Sequence, residues 1–218
     1  LNYELDKATF IRMSYGQGYR YPSIAERFVR TKFGASQVFP NPSLKSETGW
    51  SAELGIKQGF KIGSWMGFAD VAGFYTQYKD MMEFNFGIHL PPDSTIQQVG
   101  IGALNYLGFK SINVGTARIS GIDISIMGQG KIGNIDSRII LGYTYMNPIQ
   151  VNPDSAIEVN LSGHTNTLKY RYRKSFKFDF ENSYKRFTIG NTILYNSFMQ
   201  NIDEVFANTK PTQNGLGV

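Results

Sequence analysis

The chain has 218 residues, 41% of them hydrophobic and 18% charged, with a formal net charge of +5. It has no cysteine, which excludes a disulfide scaffold, a thiolate metal site and a cysteine nucleophile. No apolar run reaches the ~20 residues of a membrane helix, while aromatic residues make up 14%, as where rings line a water–lipid boundary.

Residues 2–4 read as the tail of an earlier strand. The first full strand spans Thr9–Tyr15. Ile11, Met13 and Tyr15 share one face, and Arg12 and Ser14 the other. A long loop over 16–47 follows, broken by Pro22, Pro40 and Pro42. Within it Ser23–Phe28 reads as a short helical turn, capped by Ser23 with Glu26 three positions on. The second strand, Thr48–Gln58, sets Trp50, Ala52, Leu54 and Ile56 against Ser51, Glu53, Gly55 and Lys57. A short turn over 59–64 leads to the third, Trp65–Tyr78. There Asp70 shares a face with Phe68, Ala72 and Phe74, so the sequence gives no orientation.

A second long connection covers 79–112 and holds Met81, Met82, Phe84, Phe86 and the pair Pro91–Pro92. The fourth strand is Val114–Gly128, where Ile122, Ile124 and Ile126 alternate with Gly121, Asp123 and Ser125. After the turn Gln129–Gly133 comes the fifth, Ile135–Met146, with Tyr143 and Tyr145 near its end. A third long connection, 147–166, carries Pro148 and Pro153. The sixth strand, Leu168–Tyr184, turns Phe176, Phe178 and Phe180 one way and Lys177, Asp179 and Glu181 the other. A tight turn at Lys185–Arg186 leads to the seventh, Phe187–Ser197, and to a further loop with Pro211 and Gly215.

The connections alternate between long and short. Such alternation is the layout of an outer-membrane barrel, with long outer loops and short periplasmic turns. Structureless loops of that length are uncommon in compact domains, and the strands reach the ~9–11 residues of a tilted membrane strand. The expectation is all-β: an antiparallel up-and-down transmembrane β-barrel segment of seven or eight strands, filling residues 1–218 as one partial domain. A soluble β protein remains the alternative.

Several segments together carry a resemblance. Arg12-x-Ser14-Tyr15-Gly16-x-Gly18-Tyr19-Arg20-x-Pro22-Ser23 is followed by Asn41-Pro42-x-Leu44-Lys45-x-Glu47 and Glu53-x-Gly55-x-Lys57. Phe74-Tyr75-x-x-x-Tyr78-x-Asp80-Met81-Met82 and Ala117-Arg118-Ile119-x-Gly121-Ile122-Asp123 come next, in the same order and direction. This resembles the C-terminal barrel of TonB-dependent outer-membrane receptors. The Tyr-Arg-Tyr-Pro-Ser wording is most similar to receptors of the Bacteroidetes group. The resemblance implies a barrel of about 22 strands closed by an N-terminal plug, of which this chain is an internal piece without plug or closing strand. It implies a cell outer membrane of a Gram-negative bacterium, contact with outer-membrane lipid, and an energy-coupling TonB complex reached through the plug. It further implies active uptake of a scarce large ligand: a ferric siderophore, haem, cobalamin or an oligosaccharide.

Residue by residue, two readings stand side by side. Arg12, Arg20 and Arg27 are candidate contacts for an anionic ligand; the plainer reading pairs Arg12 with Glu53 and has Arg20 fix the loop. Gly18, Tyr19, Arg20, Pro22, Asn41, Pro42, Leu44, Glu47 and Gly121 are family-motif residues that shape loop and strand ends. Asn-Pro favours a turn, and Glu47 is placed to accept from backbone donors. No glycine-rich segment precedes a helix as a phosphate loop requires. His89 and His164 lie in different long loops, and neither has a second ligand at metal spacing, so no metal and no cofactor is expected. Met81 and Met82 read as lipid or plug packing. The basic run Lys169–Lys174 lacks a nucleic-acid-binding motif, so nucleic acid is not a partner. Asp80, Asp93, Asp154 and Asp203 are dispersed through loops and no catalytic residue is assigned, so the chain is not read as an enzyme. Two other functions stay open: a passive structural or adhesive outer-membrane barrel, and a soluble β-sandwich binding protein.

Overall fold

The structure, a computed structural model, describes residues 1–33, 36–91, 93–151, 166–202 and 215–217. In chain order its strands are β1 (Asn2–Asp6), β2 (Thr9–Arg20), β3 (Thr31–Phe33), β4 (Ser36–Phe39), β5 (Glu47–Ile62), β6 (Trp65–Lys79) and β7 (Met82–Ile88). They continue with β8 (Leu107–Asn113), β9 (Ala117–Ile132), β10 (Ile135–Gln150), β11 (Lys174–Tyr184), β12 (Phe187–Asn196) and β13 (Gly215–Gly217). Helix α1 (Ile24–Phe28) lies in the first long connection. Helix α2 (Ile96–Val99) and a 3-10 helix, Gly100–Tyr106, lie in the second.

Nine strands form one sheet in the order β1-β2-β5-β6-β9-β10-β11-β12-β13, antiparallel throughout. Each is paired to its neighbour in the chain or across one outer excursion, so the wall is an up-and-down meander. β1 and β13 form the open edges. Residues 2–4 do belong to a strand ahead of Thr9, and the last short strand extends the tail.

The register shows why the sequence alternates. Ile11, Ile56, Val71, Ile124, Tyr143, Phe176 and Tyr195 form one row across seven strands. The next residue along gives Arg12, Gly55, Ala72, Asp123, Thr144, Ser175 and Asn196. A wall with one wholly apolar and one polar row is built to face lipid outside and water inside. The apolar face has no covering layer: Leu54 is 60% exposed, Met13 51% and Ile122 47%. A β-sandwich requires a second sheet ~10 Å away on that face, and none is present among the described residues. No described helix is long and apolar enough to cross a membrane, so a crossing is made by strands.

Register also resolves β6. Asp70 lies opposite Lys57 and Ser125, on the inner face with Phe68, Ala72 and Phe74. The alternation is blurred because these apolar residues sit on the polar side, where Lys57 Nζ lies 3.7 Å over the Phe68 ring.

Four two-residue turns close one end: Lys7–Ala8, Gly63–Ser64, Gly133–Asn134 and Lys185–Arg186. Each contains one left-handed residue: Ala8 (φ 62°), Gly63 (60°), Gly133 (62°) and Lys185 (54°). At the other end strands run further than alternation alone indicates. β2 reaches Arg20 because Gly16 and Gly18 stay paired opposite Ser51 and Gly49. β10 reaches Gln150 through Pro148, which is tolerated because pairing with β11 stops at Tyr145. β11 starts at Lys174 and not at Leu168. Tyr170 turns left-handed (φ 55°), and its N–H goes to the Asn201 carbonyl instead of a strand.

The larger departure is in the outer connections. β3 and β4 come from the first and β7 and β8 from the second, and they form a separate four-stranded sheet in the order β3-β4-β8-β7. β4 and β8 pair in parallel, Val38 with Phe109 and Phe39 with Lys110. Two segments read as loops thus share one cap above the wall.

Candidate functional site

The inner wall is built from the polar rows. Arg12 bridges two strands at once, 3.3 Å from Glu53 and 3.0 Å from Asp70, which is only 8% exposed. Its path lies over Gly55, where a Cβ would sit 2.9 Å from Arg12 Nε and 3.0 Å from Ala72 Cβ. Further along, Lys177 pairs with Asp179 at 3.0 Å, Thr192 donates to Asp179 and Thr144 to Asp123, both at 2.5 Å. On the outer side Tyr15, Trp50 and Tyr75 stand in a line with ring centroids 6.1 and 5.1 Å apart. Such a belt marks a membrane interface.

At the mouth the motif residues meet. Ser23 and Glu26 form a reciprocal cap on α1, and Arg20 reaches Glu26 Oε1 at 2.5 Å. Burial pushes the Glu26 carboxyl up, but the Ser23 N–H and hydroxyl and the Arg20 guanidinium outweigh it, so Glu26 lies below its ordinary value. Arg27 Nε and Nη2 donate to the Pro42 carbonyl at 3.2 and 2.7 Å, and its guanidinium covers the Phe28 ring. Asn41 donates to the Ser111 carbonyl at 2.9 Å and accepts from Ser43 N–H. Glu47 lies opposite Arg20 in register and accepts from Met82 N–H at 2.8 Å. Leu44 is buried. Tyr19 is exposed and edge-on to Tyr21, two residues on, and Gly18 lies opposite Gly49. Gly121 lies apart in the wall, where a Cβ would come 2.1 Å from the Tyr145 carbonyl and 2.5 Å from the Phe74 ring.

The structure therefore brings Arg20, Arg27, Asn41, Pro42 and Glu47 together and leaves Arg12 and Gly121 lower in the barrel. Each of the three arginines is engaged by a carboxylate or carbonyl of the chain. Met81 N–H donates to the Gly115 carbonyl and its own carbonyl accepts from Val114 N–H, and Met81 and Val114 form a small core with Ala117 and Leu168.

A second cluster sits on the cap, with the cations Arg30, Lys110 and Lys169 around the His89 ring. His89 stands edge-on to Phe39 at 5.6 Å, and the Arg30 guanidinium lies over the Phe39 ring, 5.0 Å from its centroid. Lys110 lies opposite Phe39 on one side and Asn85 on the other, and Lys169 donates to Asn85 Oδ1 at 2.6 Å. Burial and then the charge of Lys110 hold His89 below its ordinary value, against backbone bonds to Asn85 and Gly108 that raise it. Burial lowers Lys110 as well. His89 Nε2 is buried with no hydrogen-bond partner among the described residues. The residues of this cluster come from three connections, which no local spacing reveals. His164, Asp154 and Asp203 lie outside the described residues. Among those described, no group of three or more His, Cys, Asp or Glu side chains is placed to hold a metal.

Long antiparallel strands, an apolar outer row, a polar inner row and tight turns at one end define a segment of a transmembrane β-barrel. The chain matches the family model described as TonB dependent receptor-like, beta-barrel, over residues 1–214, and it belongs to that family. This is a family of receptors, not enzymes, and its barrels are outer-membrane proteins of Gram-negative bacteria. Three solved structures share the fold. One is the Serratia marcescens hemophore receptor HasR, a double mutant in complex with its hemophore HasA and heme. It is 15% identical, with 92% of this chain and 32% of that one covered and a TM-score of 0.58. A mutant ferric enterobactin receptor from Pseudomonas aeruginosa is 15% identical over 91% of this chain and 27% of its own, with a TM-score of 0.55. The siderophore receptor PirA from Acinetobacter baumannii is 15% identical over 99% and 32%, with a TM-score of 0.54. The chain thus spans about a third or less of the length of these structures. No curated protein matches the chain significantly.

Proposed function

We propose that this chain is part of the wall and outer mouth of an active-transport receptor in the outer membrane of a Gram-negative bacterium. Its cargo is a scarce large ligand, and among ferric siderophore, haem, cobalamin and oligosaccharide we favour an anionic ferric chelate. The observation that carries the reading is the cap: the cations Lys110, Lys169 and Arg30 are gathered there around Asn85 and Phe39, with the His89 ring, kept uncharged by burial and by Lys110, beside them. A cationic patch with an aromatic floor suits a ligand that is both negatively charged and ring-bearing. A neutral oligosaccharide has no use for that charge. In this reading the outer row meets lipid, Arg12, Glu53 and Asp70 keep the inner wall polar, and Arg20, Arg27 and Glu47 hold the mouth in shape. Energy comes from the TonB complex, through a plug that occupies the barrel.

The test uses the full-length protein expressed with its own leader. It should fractionate with the outer membrane as a heat-modifiable species. Iron-starved cells should take up iron supplied as catecholate or hydroxamate chelates, and a protonophore should abolish this uptake. Lys110→Met with His89→Gln should weaken chelate binding while leaving the heat-modifiable band intact. A protein that is soluble and monomeric without detergent overturns the barrel and transport readings together. Chelate binding unchanged in the double variant overturns the cap as the capture site.

A further inference from the structure

We propose that the lipid-facing side of the wall binds, at its mouth end, the phosphate head group of an anionic lipid, through Lys79 and Arg118. This rests on the reading of the wall as spanning the outer membrane, and not on what the receptor carries. The register sorts the charges of the wall. Every carboxylate of β2, β5, β6, β9, β10, β11 and β12 lies on the inner face, from Glu47 and Glu53 to Asp179 and Glu181. Among the described residues of these strands, the outward face carries Lys79, Arg118 and Lys174 as its charges, and no acid. All of these cations stand at the mouth end: Lys79 closes β6, Arg118 lies one residue into β9 and Lys174 opens β11. At the opposite end the same face finishes in Ile62, Trp65, Ile132, Ile135, Tyr184 and Phe187. One leaflet is thus met by cations and the other by an apolar and aromatic rim.

Lys79 and Arg118 sit on neighbouring strands. Gln77 lies opposite Arg118 in register, and Lys79 is the next outward residue along β6. Diagonal neighbours of this kind lie about 7–8 Å apart, within reach of long side chains that converge on one group. One outward step toward the membrane, Tyr75 lies opposite Ser120 and stacks on Trp50 at 5.1 Å. Along the strands Arg118 stands about 7 Å beyond this belt and Lys79 about 13 Å, at the level of lipid head groups. Arg118 is half-buried, and its Nε is buried with no hydrogen-bond partner among the described residues. Neither it nor Lys79 joins an ion pair among those residues, whereas on the inner face Arg12 and Lys177 each meet a carboxylate. A cation beside hydrocarbon is costly unless an anion compensates it. The wall offers no such anion on this face, so the membrane supplies it. A guanidinium fork beside an ammonium suits a phosphate. Below the cations run Ile122, Ile124 and Val71, an apolar track that a free phosphate ion leaves unused and that acyl chains fill. The ligand is therefore an amphiphile, with its phosphate at Lys79 and Arg118 and its chains along β6 and β9. Past β10, Lys174 and Arg173 extend the same charge, the Arg173 guanidinium donating to the Tyr145 hydroxyl and Asn147 Oδ1.

The test uses the full-length receptor, purified in detergent as a heat-modifiable species. Native mass spectrometry reads its retention of bisphosphorylated lipid A, of the dephosphorylated form and of phosphatidylcholine. Wild type should hold the bisphosphorylated lipid about tenfold or more better than the dephosphorylated one, and Lys79→Gln with Arg118→Gln should remove that preference. Lys61→Gln, on the inner face at the far end, should leave it unchanged. Excess inorganic phosphate should not displace the lipid. Equal retention of the two lipid A forms by folded wild type overturns the site, as does an unchanged preference in the double variant. Displacement by inorganic phosphate makes the ligand a free ion and overturns the lipid assignment. Where the double variant fails to fold, Lys79→Gln alone, at an exposed strand end, should cut the preference about fivefold, and no change overturns the site. A wild type that is soluble without detergent overturns the reading of the wall itself, an outcome distinct from a folded barrel without lipid preference.

Discussion

The wall and the cap are both β-sheets, yet they are held by opposite means. The wall has no core of its own. Its apolar row points outward with Leu54, Met13 and Ile122 about half exposed, and the solvent that stabilises it is lipid. Its inner row is kept in place by cross-strand pairs such as Arg12 with Asp70. The cap, by contrast, relies on its own interior. Phe84 stacks on Phe109 at 5.0 Å, Phe86 meets Phe109 edge-on, and Asn41 and Asn113 tie the connections together. Changes in the wall should therefore register as failure to assemble in the membrane, and changes in the cap as local loosening with assembly intact.

The strongest way to break this contrast is Leu54→Arg, which puts a charge mid-strand on the lipid face. A cost of about 2–4 kcal/mol is expected for such a substitution near the bilayer midplane. Urea titration of the barrel in vesicles measures it, and a value near zero removes the lipid assignment of that face. Next comes Gly121→Ala, at a position where a Cβ meets the Tyr145 carbonyl and the Phe74 ring. Overpacking of about 1–3 kcal/mol is expected, read as a lower yield of heat-modifiable protein. Asn113→Ala acts on the cap. Loss of its three hydrogen bonds, with the Lys45 N–H and carbonyl and with the Asp80 carbonyl, should cost about 1–2 kcal/mol there, visible in amide exchange of β8 but absent from the unfolding midpoint of the wall.

The smallest effect is acidic loosening of the cap. His89 lies below its ordinary value of 6.5, so the opened cap binds a proton more readily than the closed one. Stability is therefore constant above about pH 6.5 and falls as pH drops from there through the lowered value. Amide exchange of β7 and β8, corrected for its intrinsic pH dependence, should accelerate in that window only. His89→Gln should flatten the profile, and an unchanged slope in that variant assigns the effect elsewhere.

Much of the wall was legible because its period is two. Trp50–Ile56 and Phe176–Phe180 each announce a strand and both of its faces, and the alternation of connections announces the meander. β6 was not legible in the same way, because Phe68, Ala72 and Phe74 are apolar on the inner side and mask Asp70. The pairing of Arg12 with Glu53 could be read from neighbouring strands, but its second partner, Asp70, sits two strands away. At the mouth the capping box of Ser23 and Glu26 is local and was visible. The acceptance of Met82 N–H by Glu47 was visible only as a role without a partner.

The sequence by itself indicated the class: β-strands long enough to cross a membrane, the two faces of most of them, the side on which the long connections lie, and the family motifs at their ends. These follow from local alternation and from turn chemistry, which need no partner strand to be read. Only the tertiary structure decided that the first two outer connections share one sheet, that Asn113 ties them, and that His89, Lys110, Asn85 and Lys169 meet. Those contacts join residues up to 84 positions apart, as Lys169 and Asn85 are. Short strands such as β3 and β4 carry too few residues to show a period; they pair with each other, and β4 gains a second hydrogen-bonding neighbour only from the distant β8.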